Sequence, residues 1–144
     1  RLKICYTFIG NPRERMETMI RNGIDLVEID RIRRSLESPS FLQKVFGEHE
    51  RVAFLEHGLR AESAAGAFAA KEAFSKALGT GIRGFSLKEV EVLHDQYGAP
   101  YFLLSGKAAA IAAEQNLDFA LSITHTKYYA AAVVTAFGKE TDKR

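Results

Sequence analysis

The stretch FAAKEAFSKALGTG, at residues 68–81, predicts the element around which the rest of the chain is organised. Its alanine, leucine, lysine and glutamate residues are strong helix formers, so we expect a long helix from about residue 60 to residue 78. Alanines that recur at every fourth position form a smooth stripe along one side of that helix: Ala65, Ala69, Ala73 and Ala77. The stripe predicts a helix that packs closely against a sheet.

A second face of this helix carries Glu72 and Lys76, which are separated by one turn, about 6 Å along the axis. Such a pair is most often a solvated surface pair that contributes only a few tenths of a kcal/mol. Gly79 and Gly81, on either side of Thr80, favour a different interpretation. One glycine is enough to end a helix in a left-handed cap. The second glycine leaves room for a ligand to approach the backbone closely.

The composition is that of one ordinary soluble globular domain, with 144 residues of which 47% are hydrophobic and 26% charged. A net charge of +2 argues against a broad nucleic-acid-binding surface, although it allows a local basic patch that meets an acidic partner. The single cysteine, Cys5, excludes an intrachain disulfide framework, and no apolar run reaches membrane-spanning length. We therefore expect a cytoplasmic protein.

Residues 1–18 differ from the patterned chain that follows them. They contain a short apolar run at residues 4–9, which has the character of an edge strand, and Met16 and Met19 lie just before the first well-patterned element. We interpret residues 1–18 as an N-terminal extension of the domain. Residues 19–138 are expected to form a single domain, and the charged residues 139–144 are expected to be a frayed tail.

A run of β-prone residues at 20–29 carries the carboxylate of Asp25 near its middle. A buried carboxylate is costly without a partner. Asp25 therefore either belongs to a functional site or lies at the end of the strand, where it would cap the next helix. That helix, at residues 28–36, presents Arg31 and Arg34 three positions apart. These arginines are either solvated or form a docking site for an acidic surface.

Short elements are predicted on both sides of the central helix. Ser38 and Pro39 mark the start of a short helix that ends near Phe46, and another covers residues 48–56. Beyond the glycines, the apolar period changes from helical to two. The elements predicted there are a strand within 87–93, a strand at 100–104, a helix at 106–115, and paired strands at 119–126 and 128–137.

The histidines show two kinds of setting. His125 lies in a strand end, residues 122–126, where polar residues alternate with Ile123 and His125, so one face of this strand end is polar. His49 and His57 have no metal-ligand spacing with another histidine or cysteine, and we expect them at the surface or at helix ends.

Taken together, Asp25 and Glu72 offer carboxylate oxygens, which suit a hard ion such as Mg²⁺ completed by water and phosphate oxygens. Lys76 lies where it could neutralise such a phosphate. The glycines follow a helix C-terminus, whose dipole disfavours anions, so a lysine or a metal is needed to bind phosphate there. The fingerprints of common NTPases, hydrolases and dehydrogenases are missing from the sequence. The residues alone therefore predict Mg²⁺-dependent phosphoryl-group chemistry.

Three motifs resemble those of the holo-acyl-carrier-protein synthases, the small single-domain branch of the 4′-phosphopantetheinyl transferases. They are GIDLVEIDRI at residues 23–32, FAAKEAFSKALGTG at residues 68–81 and SITHT at residues 122–126. The resemblance covers residues 19–137, with the motifs in the family's order and approximate spacing. The central motif is long and highly specific, and the other two are moderately specific.

The resemblance implies an α+β fold, in which a small antiparallel sheet packs against a long helix, and a homotrimer with active sites between protomers. It implies transfer of 4′-phosphopantetheine from coenzyme A to a serine of apo-acyl carrier protein in fatty acid biosynthesis, with release of adenosine 3′,5′-bisphosphate. Two alternatives stay open. One is a transferase that serves the carrier domains of natural-product synthases, and the other is a protein that binds coenzyme A or an acidic protein without transfer.

The resemblance also implies roles at the reaction centre. Asp25 and Glu72 match the residues that bind Mg²⁺, and Glu72 would also help to deprotonate the acceptor serine, directly or through water. Lys76 matches the residue that stabilises charge on the phosphates and the leaving group. Asp25, Glu72 and Lys76 are therefore the expected catalytic residues.

Further matches concern the two substrates. Lys76, the loop of Gly79, Thr80 and Gly81, and His125 would hold coenzyme A, and the sequence leaves open whether His125 comes from the same or the neighbouring protomer. Arg31 and Arg34 would face the acidic surface of the carrier protein, although only Arg31 matches the family pattern directly.

The chain departs from that pattern in two places, at Arg21-Asn22 and at Ala67. Arg21 stands where the family usually has the first glycine of Gly-Ile-Gly-x-Asp, and Ala67 stands where an arginine commonly precedes the central motif. We expect no phosphate or carrier contact from Ala67. What Arg21 does to the site is left open by the sequence.

Overall fold

The computed structural model describes residues 20–139. In chain order these residues form β1 (Ile20–Glu28), α1 (Ile29–Ser35), α2 (Pro39–Val45), α3 (Glu48–His57), α4 (Ala61–Leu78), β2 (Val90–His94), β3 (Pro100–Leu104), α5 (Gly106–Glu114), β4 (Leu117–His125) and β5 (Tyr129–Gly138). The predicted edge strand at residues 4–9, the rest of the extension and residues 140–144 lie outside the described part of the chain. Lys139, the first residue of the predicted tail, donates its N–H to the carbonyl of Asn116 at 2.9 Å.

The strands form two antiparallel sheets, and the α+β prediction is confirmed. The larger sheet has the order β1-β5-β4, and the smaller one is the hairpin of β2 and β3. In the larger sheet, Asp25 of β1 pairs with Ala132 of β5, which pairs with Ile123 of β4. Helix α4 packs across one face of this sheet, as the alanine stripe predicts.

The close approach of α4 to β1 depends on small residues on both sides. The alanine stripe is fully buried, each of its four members having 0% exposure: Ala65, Ala69, Ala73 and Ala77. On the sheet, a Cβ at Gly23 would stand 1.9 Å from the carbonyl oxygen of Ala73 and 2.7 Å from the nitrogen of Ala77. Only glycine fits at this position of β1, and the absence of its side chain sets the distance between strand and helix.

An aromatic cluster joins α4 to the second sheet. Phe74 of α4 is completely buried, and its ring centroid lies 5.7 Å from that of Phe85, 5.2 Å from that of Phe102 and 4.6 Å from that of Phe119. Each buried aromatic side chain removes roughly 150–250 Å² of surface from water, so this cluster contributes much of the apolar burial that stabilises the domain. The cluster fixes α4 against both sheets at once.

A buried ion pair anchors the other side of α4. Lys71 donates from Nζ to Oε2 of Glu50 at 2.8 Å, to the carbonyl of Val90 at 2.6 Å and to the carbonyl of Leu87 at 3.1 Å. Glu50 also accepts the N–H groups of Gly47 and Val92. Burial raises the pKa of Glu50, against the opposing effect of Lys71, and burial lowers the pKa of Lys71. The pair holds α3 and β2 in place beside α4.

Several local predictions are refined by the structure. Residues Leu87–Glu89 form a 3₁₀ turn closed by a capping box from Ser86 to Glu89, so the predicted strand within 87–93 begins only at Val90. Asn116, just after α5, has a left-handed conformation, with φ of 52°. His49 and His57 lie at the surface, as expected, with side chains 64% and 80% exposed. Among the helices of residues 20–139, none is long and apolar enough to cross a membrane.

Candidate functional site

Asp25 and Lys76 meet where β1 passes under α4. Asp25 lies inside β1, three residues before its end, and the N-cap of α1 is Glu28. The alternative in which Asp25 caps that helix is therefore wrong. Lys76 donates from Nζ to Oδ1 of Asp25 at 3.0 Å and to the carbonyl of Ile24 at 2.9 Å. The two side chains are 16% and 20% exposed, so the carboxylate has both a partner and access to solvent.

Glu72 lies on α4 one turn before Lys76 and is half-buried. One turn corresponds to about 6 Å along the helix axis. The helix thus places a second carboxylate beside the Asp25–Lys76 pair. The junction of β1 and α4 holds two acidic groups and one cation, all reachable from solvent.

The donor set of this junction suits one class of metal ion. Within residues 20–139 there is no cluster of three or more His, Cys, Asp or Glu side chains that could enclose an ion. Mg²⁺, however, is usually bound through one or two carboxylates, with water and substrate phosphates completing its octahedron. Asp25 and Glu72 fit that kind of open site, and Lys76 would lie beside any phosphate bound there.

The loop after α4 is exposed and requires glycine for its backbone. Gly79 ends the helix with φ of 79°, and its N–H donates to the carbonyl of Lys76 at 3.0 Å. Gly81 has φ of 63°, and the hydroxyl of Thr80 donates to the carbonyl of Gly81 at 3.2 Å. A Cβ at Gly81 would meet no atom within 4 Å. The left-handed backbone, rather than close packing within the chain, accounts for the second glycine.

Arg21 is a residue at this loop whose role the sequence leaves open. Its Nη1 donates to the carbonyl of Leu78 at 2.9 Å, and its Nη2 donates to Oε1 of Gln115 at 2.8 Å. It thereby binds the last residue of α4 and ties it to the end of α5. The signal in the sequence is the replacement of a glycine by a large cation two residues before Gly23, but the partner of that cation depends on the fold.

His125 ends β4, the strand at the far edge of the larger sheet, and is exposed. Its Nδ1 lies 3.2 Å from the carbonyl oxygen of Thr126. Strand β5 separates β4 from β1, so His125 and Asp25 lie on strands two spacings apart, about 9–10 Å. A single chain therefore places His125 away from the Asp25–Lys76 pair.

Helix α1 presents Arg31 and Arg34 to solvent. The neighbouring Arg33 is paired with Asp30 and lies 3.8 Å from Oε1 of Glu62. Neither Arg31 nor Arg34 has an ion-pair partner among residues 20–139. The charge of these two arginines is therefore available at the surface, as a docking site for an acidic partner requires.

Sequence comparison identifies relatives over most of the chain. The statistical model of the 4′-phosphopantetheinyl transferase superfamily matches residues 21–134. The holo-[acyl-carrier-protein] synthase of Caldanaerobacter subterraneus subsp. tengcongensis is 47% identical over 120 residues, which are 82% of this chain and 94% of that protein.

Solved structures agree with the sequence comparison. The acyl carrier protein synthase of Plasmodium yoelii, determined with ADP bound, has a TM-score of 0.77 at 31% identity and covers 86% of this chain and 99% of its own. The holo-(acyl-carrier-protein) synthase of Bacillus anthracis, in complex with CoA (3′,5′-ADP), has a TM-score of 0.70 at 35% identity, with 83% and 96% covered. The resemblance that the three motifs indicate is confirmed, and this chain belongs to the 4′-phosphopantetheinyl transferase superfamily.

Proposed function

We propose that this chain is a holo-acyl-carrier-protein synthase, which transfers 4′-phosphopantetheine from coenzyme A to a serine of apo-acyl carrier protein in fatty acid biosynthesis. The observation that carries this proposal is the junction of Asp25, Glu72 and Lys76, in a chain whose 47% identical relative is a holo-[acyl-carrier-protein] synthase. We also propose that the enzyme acts in the cytoplasm.

In the proposed reaction, the serine Oγ of the carrier attacks the phosphorus that bears pantetheine. A new O–P bond forms, the P–O bond of the pyrophosphate breaks, and adenosine 3′,5′-bisphosphate leaves with the electron pair. Glu72 accepts the serine proton, directly or through a water molecule. Lys76, which follows Glu72 by one helical turn, offsets negative charge on the phosphates and on the leaving group.

Asp25 and Glu72 are the residues that would hold Mg²⁺. When bound, the ion would polarise the phosphoryl oxygens and help to orient the pyrophosphate. Lys76 keeps Asp25 in position through its 3.0 Å contact and through its bond to the backbone of Ile24. The chain's own contribution is thus a rigid strand and helix that hold the two carboxylates beside one cation.

Coenzyme A is proposed to lie along the loop of Gly79, Thr80 and Gly81. The loop is exposed and adjacent to Lys76, and beyond the Gly79 N–H, which the carbonyl of Lys76 accepts, it carries the N–H groups of Thr80 and Gly81. We assign His125 to the same substrate from the neighbouring protomer, because within one chain it lies two strands away from Asp25.

We further propose that the active form is a homotrimer. The face of the larger sheet opposite α4 exposes large apolar side chains: Ile20, Ile24, Leu26, Val133 and Phe137. Soluble monomers rarely leave a contiguous apolar surface of this kind uncovered. A neighbouring protomer would cover it and would bring a second set of strand ends towards each site.

Arg31 and Arg34 are proposed to bind the acidic surface of the carrier protein. Both are exposed and carry charge that no carboxylate of residues 20–139 neutralises. We expect Arg34→Glu to raise the KM for the carrier and to leave the KM for coenzyme A unchanged in steady-state kinetics. An unchanged KM for the carrier would exclude this docking surface.

The experiment that tests the function is mass spectrometry of apo-acyl carrier protein after incubation with the chain and coenzyme A. We expect the carrier to gain the mass of one phosphopantetheine group with Mg²⁺ present, and not after chelation of the metal. Binding of coenzyme A without any gain in mass would instead identify a binding protein. Transfer that survives chelation would contradict the proposed use of Asp25 and Glu72. Modification of natural-product carrier domains in place of the fatty-acid carrier would redirect the substrate assignment.

A further inference from the structure

Arg21 lies in β1 beside the C-terminal end of α4, where the glycine loop begins. Its Nη1 is 2.9 Å from the carbonyl oxygen of Leu78, the last residue of the helix. The same Nη1 lies 3.5 Å from the position that a Cβ on Gly79 would occupy. Its Nη2 is held by Oε1 of Gln115 at 2.8 Å. The guanidinium therefore contacts the end of α4 and borders the first residue of the loop.

This location matters because of the electrostatics of the helix end. The last carbonyls of a helix lack intrahelical partners and together act as about half a negative charge. In this chain that negative end faces the loop at residues 79–81, where the proposed site has to attract phosphate groups. A cation bound to the last carbonyl satisfies its oxygen and offsets its charge at the same time.

The charge of Arg21 is also uncancelled by other side chains. No carboxylate in the described part of the chain forms an ion pair with it. Its Nε is buried and has no hydrogen-bond partner among residues 20–139, an arrangement that costs stability. A neutral side chain with an N–H group could donate to the carbonyl of Leu78 without burying an unpaired nitrogen such as Nε of Arg21. The permanent charge of arginine is what distinguishes it from such a donor.

We propose that Arg21 is a positioning residue for coenzyme A, which fixes the start of the glycine loop and offsets the negative end of α4 beside the bound phosphates. This inference rests on the proposed location of coenzyme A at residues 79–81. It gives a function to Arg21, which replaces the first glycine of the family pattern.

The test compares Arg21→Gln, which removes the charge, with Arg21→Lys, which keeps it. Binding of coenzyme A is measured by calorimetry without carrier, and KM and kcat are measured with carrier. For Arg21→Gln we expect Kd and KM for coenzyme A to rise about two- to fivefold, the range expected for one charge at a helix end. We expect kcat to change less than KM, and Arg21→Lys to recover most of the lost affinity. The difference between the two variants should shrink as salt is added.

Gln115→Ala is the matched control, because it removes the second partner of Arg21 and leaves its charge and its bond to Leu78. We expect this variant to bind coenzyme A as the unaltered chain does. Native affinity in Arg21→Gln overturns the inference. Equal losses in Arg21→Gln and Arg21→Lys, with a parallel fall in melting temperature, also overturn it, because they indicate a helix cap only.

A separate variant tests whether coenzyme A binds at residues 79–81 at all. Gly81→Ala strains a residue whose φ is 63° and so distorts the loop itself. If Gly81→Ala binds coenzyme A with native affinity, the loop is not its site, and the role of Arg21 falls with it. If the unaltered chain transfers nothing to apo-acyl carrier protein while binding coenzyme A normally, the proposed function fails and the inference about binding stands.

Discussion

At the scale of single residues, the proposed chemistry depends on Asp25 and Lys76, which are 51 positions apart in the chain. Each is conspicuous in the sequence, because Asp25 is a carboxylate in a β-prone run and Lys76 follows Glu72 by one helical turn. Their contact at 3.0 Å is not visible there, because neither local pattern says which helix a strand packs against. The strand register that turns Asp25 towards α4 supplies this information.

Replacing Glu72 tests the reaction centre most directly. We expect Glu72→Gln to lower kcat for phosphopantetheine transfer by about 100-fold or more, because the amide neither accepts the serine proton nor binds a metal as a carboxylate does. The fold should persist, since the side chain is half-buried rather than enclosed. Transfer is measured by mass spectrometry and folding by the melting temperature.

Glu114→Gln is the matched control for this replacement, because it removes an exposed carboxylate from the end of α5. It should leave kcat unchanged. Native transfer by Glu72→Gln, or by Glu72→Ala, would refute the role assigned to Glu72.

At the scale of elements, the contact between β1 and α4 controls the geometry of the site. Gly23 is two residues before Asp25, and the alanine stripe lies opposite it. The stripe predicted close packing from the sequence because its spacing of four matches the helical period. Gly23, the specific partner of the stripe, belongs to the motif at residues 23–32, but the sequence does not reveal its packing role, since the need for a missing side chain exists only once the helix lies over it.

A methyl group at position 23 should therefore disturb both stability and activity. Gly23→Ala would force β1 and α4 apart, because its Cβ would otherwise stand 1.9 Å from the carbonyl oxygen of Ala73. We expect the free energy of unfolding to fall by about 1–3 kcal/mol. We expect kcat to fall as well, because Asp25 moves relative to Lys76.

Gly138→Ala provides the comparison, since a Cβ at Gly138 would meet no atom within 4 Å. Urea unfolding and transfer assays on both variants give the answer. Equal stability of Gly23→Ala and Gly138→Ala would mean that the close approach of strand and helix is unimportant.

The buried pair of Lys71 and Glu50, which anchors α4, makes the stability of the fold depend on pH. The pKa of Glu50 is raised by burial above its ordinary value of 4.5, in spite of Lys71. At a pH between 4.5 and the raised pKa, Glu50 holds a proton in the folded chain that the unfolded chain has released. The stability that this proton contributes is lost as the pH rises through the raised pKa. We expect the stability of Glu50→Gln, relative to the unaltered chain, to increase as the pH rises above 4.5.

Urea unfolding of both chains at a series of pH values measures this difference. Its slope cannot exceed about 1.4 kcal/mol per pH unit for one proton. Lys88→Gln, at an exposed position, is a suitable control and should follow the unaltered chain at every pH. A stability difference between Glu50→Gln and the unaltered chain that is constant, or that falls with pH, would contradict the raised pKa.

At the scale of the whole molecule, one face of the larger sheet is covered by α4, and no element within residues 20–139 covers the other. Ile24 and Leu26 of β1 are 66% and 60% exposed on the open face. Because neighbouring paired residues point to the same side, Val133 of β5 continues this surface. The proposed trimer would bury this surface. His125 would then lie at the Asp25–Lys76 site of the neighbouring protomer.

A charge on the open face should separate assembly from folding. We expect Ile24→Lys to dissociate the proposed trimer into folded monomers and to lower transfer sharply, because burying an unpaired ammonium in an interface is costly. Sedimentation gives the number of chains, and circular dichroism gives the fold. Val52→Lys introduces the same charge at an exposed residue of α3 and should stay trimeric. An unaltered chain that sediments as a monomer would exclude the trimer outright.

The sequence by itself determined the helical and strand periods, the alanine stripe, the glycine cap of α4 and the three motifs that indicate the family. These are local properties, set by the spacing of residue types along a few turns or a few strand positions. The tertiary structure decided what is non-local: that Lys76 reaches Asp25, that Lys71 is a buried anchor rather than a surface charge, and that Arg21 binds the end of α4. Their partners lie 51, 21 and 57 positions away, and only the packing of β1 and α3 against α4 brings such distant residues together.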